Sequence, residues 1–492
     1  MKLNQVLKKT PWEHIPHPYT DWDIPGIKCD SRQVQSGDLF VALIGRHLDG
    51  HKFIQQALSK GARVIILSDR KAGMYQSQGD VLFLGAPDPR PYLGMIANNF
   101  YQTSTQNIKV IGVTGTNGKT TITYLIESIL RAYGQEAGLI GTIKHKIGAN
   151  EFVARNTTPG VLENHHYLSL LSQQKVPYCL MEVSSHALDQ GRVDQIDFDT
   201  AVYTNLTSEH LDYHADMDAY FEAKAKLFQQ LSPDSFAVIN KDDDYSARML
   251  KETQAQVFTY GCHRQADFQA QDIELDVSGI SFQLKTDKGL VSFRSSLFGS
   301  FNVYNILAAI AVGLIEGVSM DLIVQSIRQV EGIPGRMQRV QHDRDFFIFI
   351  DYAHTQDALR NVLENIRRVC KRRIILVFGC GGDRDRSKRA PMGTVASRLA
   401  DYVYVTNDNP RTEDPEKIIR DIIPGLENDD YEIVIDRKQA IEKALCEAKK
   451  DDVLLIAGKG HETYQIVHQE YREFNESKII QDILEKTNAP EM

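Results

Sequence analysis

Residues Gly112–Thr121 read GVTGTNGKTT and begin inside an apolar run, KVIGV, that starts at Lys109. Apolar residues then recur at Ile122, Leu125, Ile126, Ile129 and Leu130, one face of a helix. Strand, glycine-rich loop and helix in that order aim backbone N–H groups and a helix N-terminus at an anion. The phosphate-loop pattern GxxxxGK[ST] fails by one place, because Val113 stands where the first glycine belongs and Gly112 lies one residue further back. The chemistry survives the shift. Gly115 and Gly118 let the backbone turn toward a phosphate, Lys119 brings a point charge, and the Thr120 hydroxyl can ligate magnesium. A motor, a kinase, a GTPase switch and an ATP-driven ligase all use such a loop.

The rest of the chain narrows the choice. At 492 residues it is too long for one ordinary core, so roughly two to four domains are expected. A net charge of −9 argues against general nucleic-acid binding or a membrane surface. No run of apolar residues is long enough to span a bilayer, and the start, MKLNQVLKKTPWEHIPHPY, lacks the apolar centre of a signal peptide. The six cysteines are scattered without CxxC spacing, which reads as reduced thiols in a cytoplasmic protein.

Short β-branched runs alternate with helical ones, so the class is α/β. Three segments are expected: 1–103, ending in the polar YQTSTQN; 104–332, holding the phosphate loop and the apolar helix NILAAIAVGLIEG; and 333–492, after the turn-rich EGIPGRMQR. The third carries four apolar runs, FFIFI, RIILVF, DYVYVT and DVLLIAG, each followed by a polar turn. In a doubly wound parallel sheet the carboxyl ends of the strands open on one crevice, so DYAHT, GCGGDRDRSKR, NDNPR and GKGHE are expected on one rim.

With GTNGKTT, the stretches DSRQVQSGDLFVALIGRHLDGHKFI, NTTPG, MEVSSHALDQGRV, TNLTSEHLDYHADMDAYFEAKAKLF, LFGSFNVYNILAAIAV and PGRMQRV, and then the four turns, follow one another as they do in the Mur ligases. The chain resembles that family over nearly its whole length. The resemblance implies a three-domain α/β fold. A smaller N-terminal domain binds the UDP-sugar, a central P-loop-type ATPase domain carries a mostly parallel sheet, and a Rossmann-like doubly wound C-terminal domain binds the amino acid.

The implied reaction joins an amine to a carboxylate of UDP-N-acetylmuramoyl-L-alanyl-D-glutamate in peptidoglycan synthesis. ATP converts the carboxylate to an acyl phosphate, and the amine displaces phosphate. Both steps concentrate negative charge and call for cations. By resemblance ATP is bound by Gly115, Thr116, Asn117, Gly118, Lys119, Thr120 and Thr121, with Asn302, Arg336, Asp351 and His354 from the later motifs. Lys119, Glu182, His210 and Lys224 are the implied catalytic set. Magnesium is expected on Thr120 and Glu182, and a second ion on His210 and a carbamate of Lys224 derived from CO2 (N6-carboxylysine). Read by pattern alone, Lys224 could equally be a surface lysine like Lys226.

The same resemblance puts Ser31, Asn156, Thr157, Thr158, Ser184, Gln190 and Arg192 on the UDP-sugar. It puts Arg384, Asp408, Asn409, Pro410, Arg411, Gly458 and Glu462 on the incoming amino acid. By the same resemblance, DNPR at Asp408–Arg411 is the form of the motif that accompanies meso-diaminopimelate. Arg411 offers a planar fork to that substrate's distal carboxylate, where a lysine substrate would meet cation with cation. L-lysine or another amino acid is the alternative acceptor. Gln356 stands where the family usually has proline, at a place where proline opening a helix is favoured but not required. A non-catalytic nucleotide binder would lack Lys119, Glu182, His210 or Lys224, and a P-loop kinase or GTPase leaves the third segment unexplained. Small-molecule substrates, no nucleic acid, no membrane insertion and a monomer complete the expectation.

Overall fold

The computed structural model describes residues 1–45, 48–69, 80–103, 108–211, 213–286 and 289–488. The chain forms two compact units, Met1–Thr259 and Tyr260–Met492. The first unit opens with a four-stranded parallel sheet, Ile27–Lys28, Leu39–Val41, Val64–Ser68 and Leu82–Ala86 in spatial order. Part of the polar stretch expected to close the first segment, 104–107, lies outside the described residues. Just before it, Thr103 Oγ1 is 3.0 Å from His165 Nδ1, so the chain is packed on its successor at that point.

A second sheet is built around Lys109–Thr114. Tyr178–Glu182 flanks it on one side and Thr200–Tyr203 on the other, all parallel. Ala137–Ile140 and Phe236–Asn240 extend the two sides in the same direction. Strands buried on both faces read as continuous apolar runs, and YCLME is buried throughout. The register sets Val113 opposite Glu182 and Thr114 opposite Tyr203, so Glu182 ends its strand level with the start of the phosphate loop. Helix Lys119–Ala132 follows the loop. Its predicted stripe, Ile122, Leu125, Ile126, Ile129 and Leu130, is fully buried. At about 1.5–3 kcal/mol for each such side chain, this stripe seats the helix on the sheet and aims its N-terminus at the loop.

The second unit begins with an antiparallel meander, Phe268–Asp276, Gly279–Thr286 and Gly289–Ser295, followed by the buried apolar helix Phe301–Ile315. Its main sheet runs Gln338–Val340, Phe347–Asp351, Val453–Ala457, Ile374–Phe378, Tyr402–Val405 and Tyr431–Ile433. The first of these is antiparallel and the other five are parallel. Alternate strand residues feed two cores, as the two-residue period of a strand requires. Phe349, Leu376, Val403 and Leu455 pack with helices Gln356–Val369, Arg389–Leu399 and Pro415–Ile422. Ile348, Ile375, Tyr404 and Leu454 pack with helices Arg437–Glu447 and Glu476–Asn488. Helices on both faces make the unit doubly wound.

Asp351 pairs with Ala457, and Phe378 with Val405, so the strands end level and the four polar turns share the carboxyl edge, as expected. Gln356 is the first residue of its helix, where Thr355 Oγ1 accepts from Ala358 N. Among the described residues no helix is long and apolar enough to cross a membrane.

Candidate active site

Gly115 adopts φ +144°, and a Cβ there would lie 1.8 Å from Thr204 Oγ1, so the loop's first turn admits glycine alone. Gly118, at φ 93°, stands before the first helical residue. Lys119 folds back over the loop, its Nζ donating to the carbonyls of Gly115 and Thr116, each at 2.8 Å. Thr204 Oγ1 in turn donates to the Asn117 carbonyl, and Asn117 N to Asn205 Oδ1. The two residues that follow strand Thr200–Tyr203 therefore hold the loop in shape.

Glu182 is the node beside it. Thr120 Oγ1 donates to Glu182 Oε2 at 2.9 Å, and Thr142 donates twice, from N to Oε1 and from Oγ1 to Oε2, both at 2.9 Å. The carboxylate is buried, yet its bonds come from hydroxyls and one amide rather than from a cation. A threonine hydroxyl beside a carboxylate is a hard oxygen pair that suits magnesium. Among the described residues no group of three or more His, Cys, Asp and Glu gathers around a metal.

Lys224 lies on helix Met217–Gln229 and is 1% exposed, whereas Lys226 on the same helix is exposed. Its Nζ donates to Gly115 O at 2.9 Å and sits 4.5 Å from the centre of the Tyr220 ring. Burial, and then the Lys119 charge nearby, push its ammonium well below its ordinary range, while Glu209 pulls weakly the other way. As an ammonium it would repel a metal ion; as a carbamate it would present oxygens. His210, at φ 59°, is exposed, with its ring 4.8 Å from that of His186 and 6.1 Å from Tyr220. The Tyr220 ring thus neighbours both His210 and Lys224.

Most of the residues expected on the UDP-sugar are contiguous with this node. Thr157 Oγ1 meets Thr142 Oγ1 at 3.0 Å. Thr158 Oγ1 donates to the Glu182 carbonyl at 2.8 Å and accepts from Ser184 N. Arg192 donates to the Thr158 carbonyl at 2.9 Å and grips Gln190 Oε1 with two nitrogens, at 3.0 and 2.7 Å. Asn156 is exposed on the same segment. Ser31 is placed elsewhere, buried in the opening sheet's elements and donating to Gln56 Oε1 at 2.7 Å.

In the second unit Asp351 ends its strand buried, accepting from Met337 N at 2.7 Å and Ala353 N at 2.8 Å. Burial raises its carboxyl pKa, while Arg336 and those amides pull it down. Arg336 stacks 5.1 Å from the Tyr352 ring centre, and His354 Nδ1 lies 2.8 Å from the Tyr352 carbonyl. Asn302 is 2% exposed; its amide donates to Phe298 O and its oxygen accepts from Asn305, each at 2.8 Å. It fixes the start of its own helix.

The amino-acid set forms one cluster on the rim. Asn409 Nδ2 donates to Glu462 Oε2 at 2.8 Å, and Lys459 Nζ donates to Asn409 Oδ1 at 3.1 Å and Glu462 Oε2 at 3.0 Å. Arg411, at φ 52°, donates from Nη1 to Gly382 O at 2.8 Å, which orients its fork. A Cβ on Gly381 would lie 3.0 Å from Arg411 Nη1 and 3.9 Å from Arg384 Cγ, so the two arginines flank one small residue. Arg384 is exposed and Pro410 buried. Gly458 takes φ +117° with Asp408 Oδ2 2.7 Å from where a Cβ would stand.

Four residues join these groups without having been singled out in the sequence. Thr142 follows the strand AGLI as Glu182 ends YCLME, and a polar residue just past a buried strand is a readable signal. Lys459 and Lys388 sit inside quoted turns; Lys388 Nζ donates to the His354 carbonyl at 2.8 Å. Tyr220 reads from the sequence only as core.

With this geometry the chain can be compared with known proteins. The family described as Mur ligase family, catalytic domain matches residues 23–101, the Mur ligase middle domain matches 113–313, and the Mur ligase, glutamate ligase domain matches 335–460. The chain is 42% identical to the UDP-N-acetylmuramoyl-L-alanyl-D-glutamate–2,6-diaminopimelate ligase of Syntrophomonas wolfei, over 98% of this chain and 99% of that protein. It is 43% identical to the ligase of the same name from Geobacillus kaustophilus, over 97% and 98%. A solved structure of a ligase of that name superposes with a TM-score of 0.71 at 33% identity, covering 99% of both chains.

Proposed function

The chain belongs to the Mur ligase family, and from that premise we infer that it is an ATP-dependent ligase that adds 2,6-diaminopimelate to UDP-N-acetylmuramoyl-L-alanyl-D-glutamate in peptidoglycan synthesis. The observation that carries the acceptor is the rim cluster, where Arg411 is oriented by Gly382 and Glu462 by Asn409 and Lys459. A carboxylate-binding fork beside a carboxylate suits a distal centre bearing both charges, as meso-diaminopimelate does.

The glutamate carboxylate of the dipeptide attacks the γ-phosphorus of ATP, and ADP leaves. The amine then attacks the acyl carbon and phosphate leaves, its proton going to solvent. Lys119 leaves its loop carbonyls for the phosphates, and the amides of Gly115–Thr121 and the helix N-terminus meet the charge. Magnesium, held by Thr120 and Glu182, would neutralise phosphate charge. Asn302, Arg336, Asp351 and His354 are assigned to ATP. Ser31, Asn156, Thr157, Thr158, Ser184, Gln190 and Arg192 are assigned to the UDP-sugar. Domain boundaries near 103 and 332 go with this division.

Lys224 is assigned a carbamate: its neutral amine adds to the carbon of CO2 and releases a proton. The resulting anion, with His210, would receive a second magnesium. Its burial beside Lys119 supports the neutral amine that this needs. Work on nucleotide-linked substrates assigns the protein to the cytoplasm, in keeping with cysteines scattered along the chain without CxxC spacing.

The test is phosphate release from ATP and magnesium with the UDP-dipeptide, comparing meso-diaminopimelate, L-lysine and no amino acid, with Arg411→Ala beside the parent. Release with diaminopimelate alone, reduced about tenfold to a hundredfold in kcat/KM by the substitution, is expected. Release with lysine would leave the ligase and overturn the acceptor.

A further inference from the structure

The turns that carry Asp408–Arg411 and Gly458–Glu462 leave strands Tyr402–Val405 and Val453–Ala457, and Ile374–Phe378 lies between them. No ladder of the sheet joins those two strands. At their tips the turns meet through Asn409 Nδ2 on Glu462, Lys459 Nζ on Asn409 and the backbone pairing of Arg411 with Ile466 and His468; at their bases, where they leave the strands, the tie comes from a side chain.

Arg437 occupies that position. It is the first residue of helix Arg437–Glu447 and is 2% exposed. Its Nη2 donates to the carbonyl of Ala457, next to Gly458, at 2.8 Å. Its Nη1 donates to the carbonyl of Asn407, next to Asp408, at 3.3 Å. The guanidinium spans the end of the middle strand and holds one carbonyl from each turn. Its remaining edge is fixed from behind, where Nε donates to Glu476 Oε1 at 2.7 Å. Glu476 opens helix Glu476–Asn488 and is 1% exposed, and its Oε2 has no hydrogen-bond partner among the described residues. Burial drives its carboxyl pKa up, and Arg437 and Lys459 draw it back.

An ion pair this enclosed is weak evidence for stability, since desolvation offsets the attraction. A planar fork serves where two acceptors must be held at a fixed spacing.

We propose that Arg437, braced by Glu476, is a positioning residue of the amino-acid subsite, clamping the two turns so that Arg411 and Glu462 stand at the separation the acceptor's distal centre requires. The proposal rests on the acceptor reading above. Lysine at 437 would keep the charge next to Glu476 but could not fork to both carbonyls, so the turns would loosen while the pair persisted.

The experiment uses the full chain with saturating UDP-dipeptide and measures KM separately for diaminopimelate and ATP in the parent, Arg437→Lys and Glu476→Gln, with thermal unfolding alongside. Glu476→Gln keeps the oxygen that accepts from Nε and guards against a first variant that fails to fold. Arg437→Lys is expected to raise KM for diaminopimelate about tenfold with KM for ATP unchanged, and Glu476→Gln to raise it severalfold. Unchanged KM values with only less active or less stable protein would overturn the clamp, as would equal rises for both substrates. A parent that releases no phosphate in response to diaminopimelate would fail the acceptor reading itself and take the clamp with it; an unmoved variant beside an active parent fails the clamp alone.

Discussion

Lys119 and Lys224 donate to the same oxygen, the carbonyl of Gly115, at 2.8 and 2.9 Å. Two ammonium groups on one acceptor, one of them buried, form an arrangement in which one proton is poorly held. Lys224 is the group that yields, pushed down first by burial and then by Lys119. A neutral amine is the form that adds to CO2, so activity should depend on dissolved carbonate. In carbonate-depleted buffer turnover should fall, and bicarbonate should restore it in the parent but not in Lys224→Ala. Isotope-labelled bicarbonate would give a carbamate signal in the parent alone. Turnover indifferent to carbonate, with no such signal, would remove the carbamate.

The same lysine carries a pH signature. Its folded pKa lies below the ordinary 10.5, so between the two values the unfolded chain binds the proton that the native chain has lost. Stability of the parent in carbonate-depleted buffer, where Lys224 is the free amine, therefore rises with pH across that window. Lys224→Met lacks this slope. It should abolish ligation yet unfold at a temperature no lower than the parent's near neutral pH, and its advantage should shrink as pH climbs toward 10.5. Thermal scans at several pH values decide this; a Met variant less stable at neutral pH, with the parent's slope intact, would contradict it.

Gly115→Ala and Gly134→Ala separate backbone strain from collision. Both positions have positive φ, +144° and +79°. A Cβ at Gly134 meets nothing within 4 Å, whereas at Gly115 it would press on Thr204 Oγ1 and, at 3.0 Å, on Asn205 N. Gly134→Ala should cost about 1 kcal/mol and leave ATP binding alone. Gly115→Ala should cost about 3 kcal/mol or more and weaken binding of an ATP analogue, because Thr204 also holds the Asn117 carbonyl. Denaturant unfolding and a binding titration read the two effects separately.

Local pattern makes the phosphate loop and the shared rim legible in the sequence. GVTGTNGKTT lies between a continuous apolar run and a helical stripe, and each of the four apolar runs of the last segment ends in its own polar turn. What could not be read was contact between distant residues. Lys224 and Lys226 are two places apart with the same side chain, and only the packing of helix Met217–Gln229 buries one of them. Arg437 looks like any arginine at a helix start until the sheet order puts a foreign strand between the turns it joins. Thr142 meets Glu182 across 40 residues of chain, a pairing that depends on strand order rather than on spacing.

That pairing frames the last prediction. Glu182 accepts three bonds, from Thr120 Oγ1, Thr142 N and Thr142 Oγ1. Glutamine there keeps the volume but turns an N–H₂ group toward donors that need an acceptor, and it removes the charge that would hold magnesium. Each lost bond to a charged group is worth about 1.5–3 kcal/mol, so Glu182→Gln should unfold several degrees below the parent. Its magnesium requirement should rise about tenfold, and kcat should fall about a hundredfold at saturating metal. Thr142→Val removes one donor and leaves both the carboxylate and the Thr142 amide. It should lower stability by about 1 kcal/mol and shift the magnesium requirement far less. Magnesium titrations of both variants make the comparison. A Glu182→Gln enzyme with the parent's magnesium curve would make Glu182 a structural acceptor for two threonines and move the metal site elsewhere.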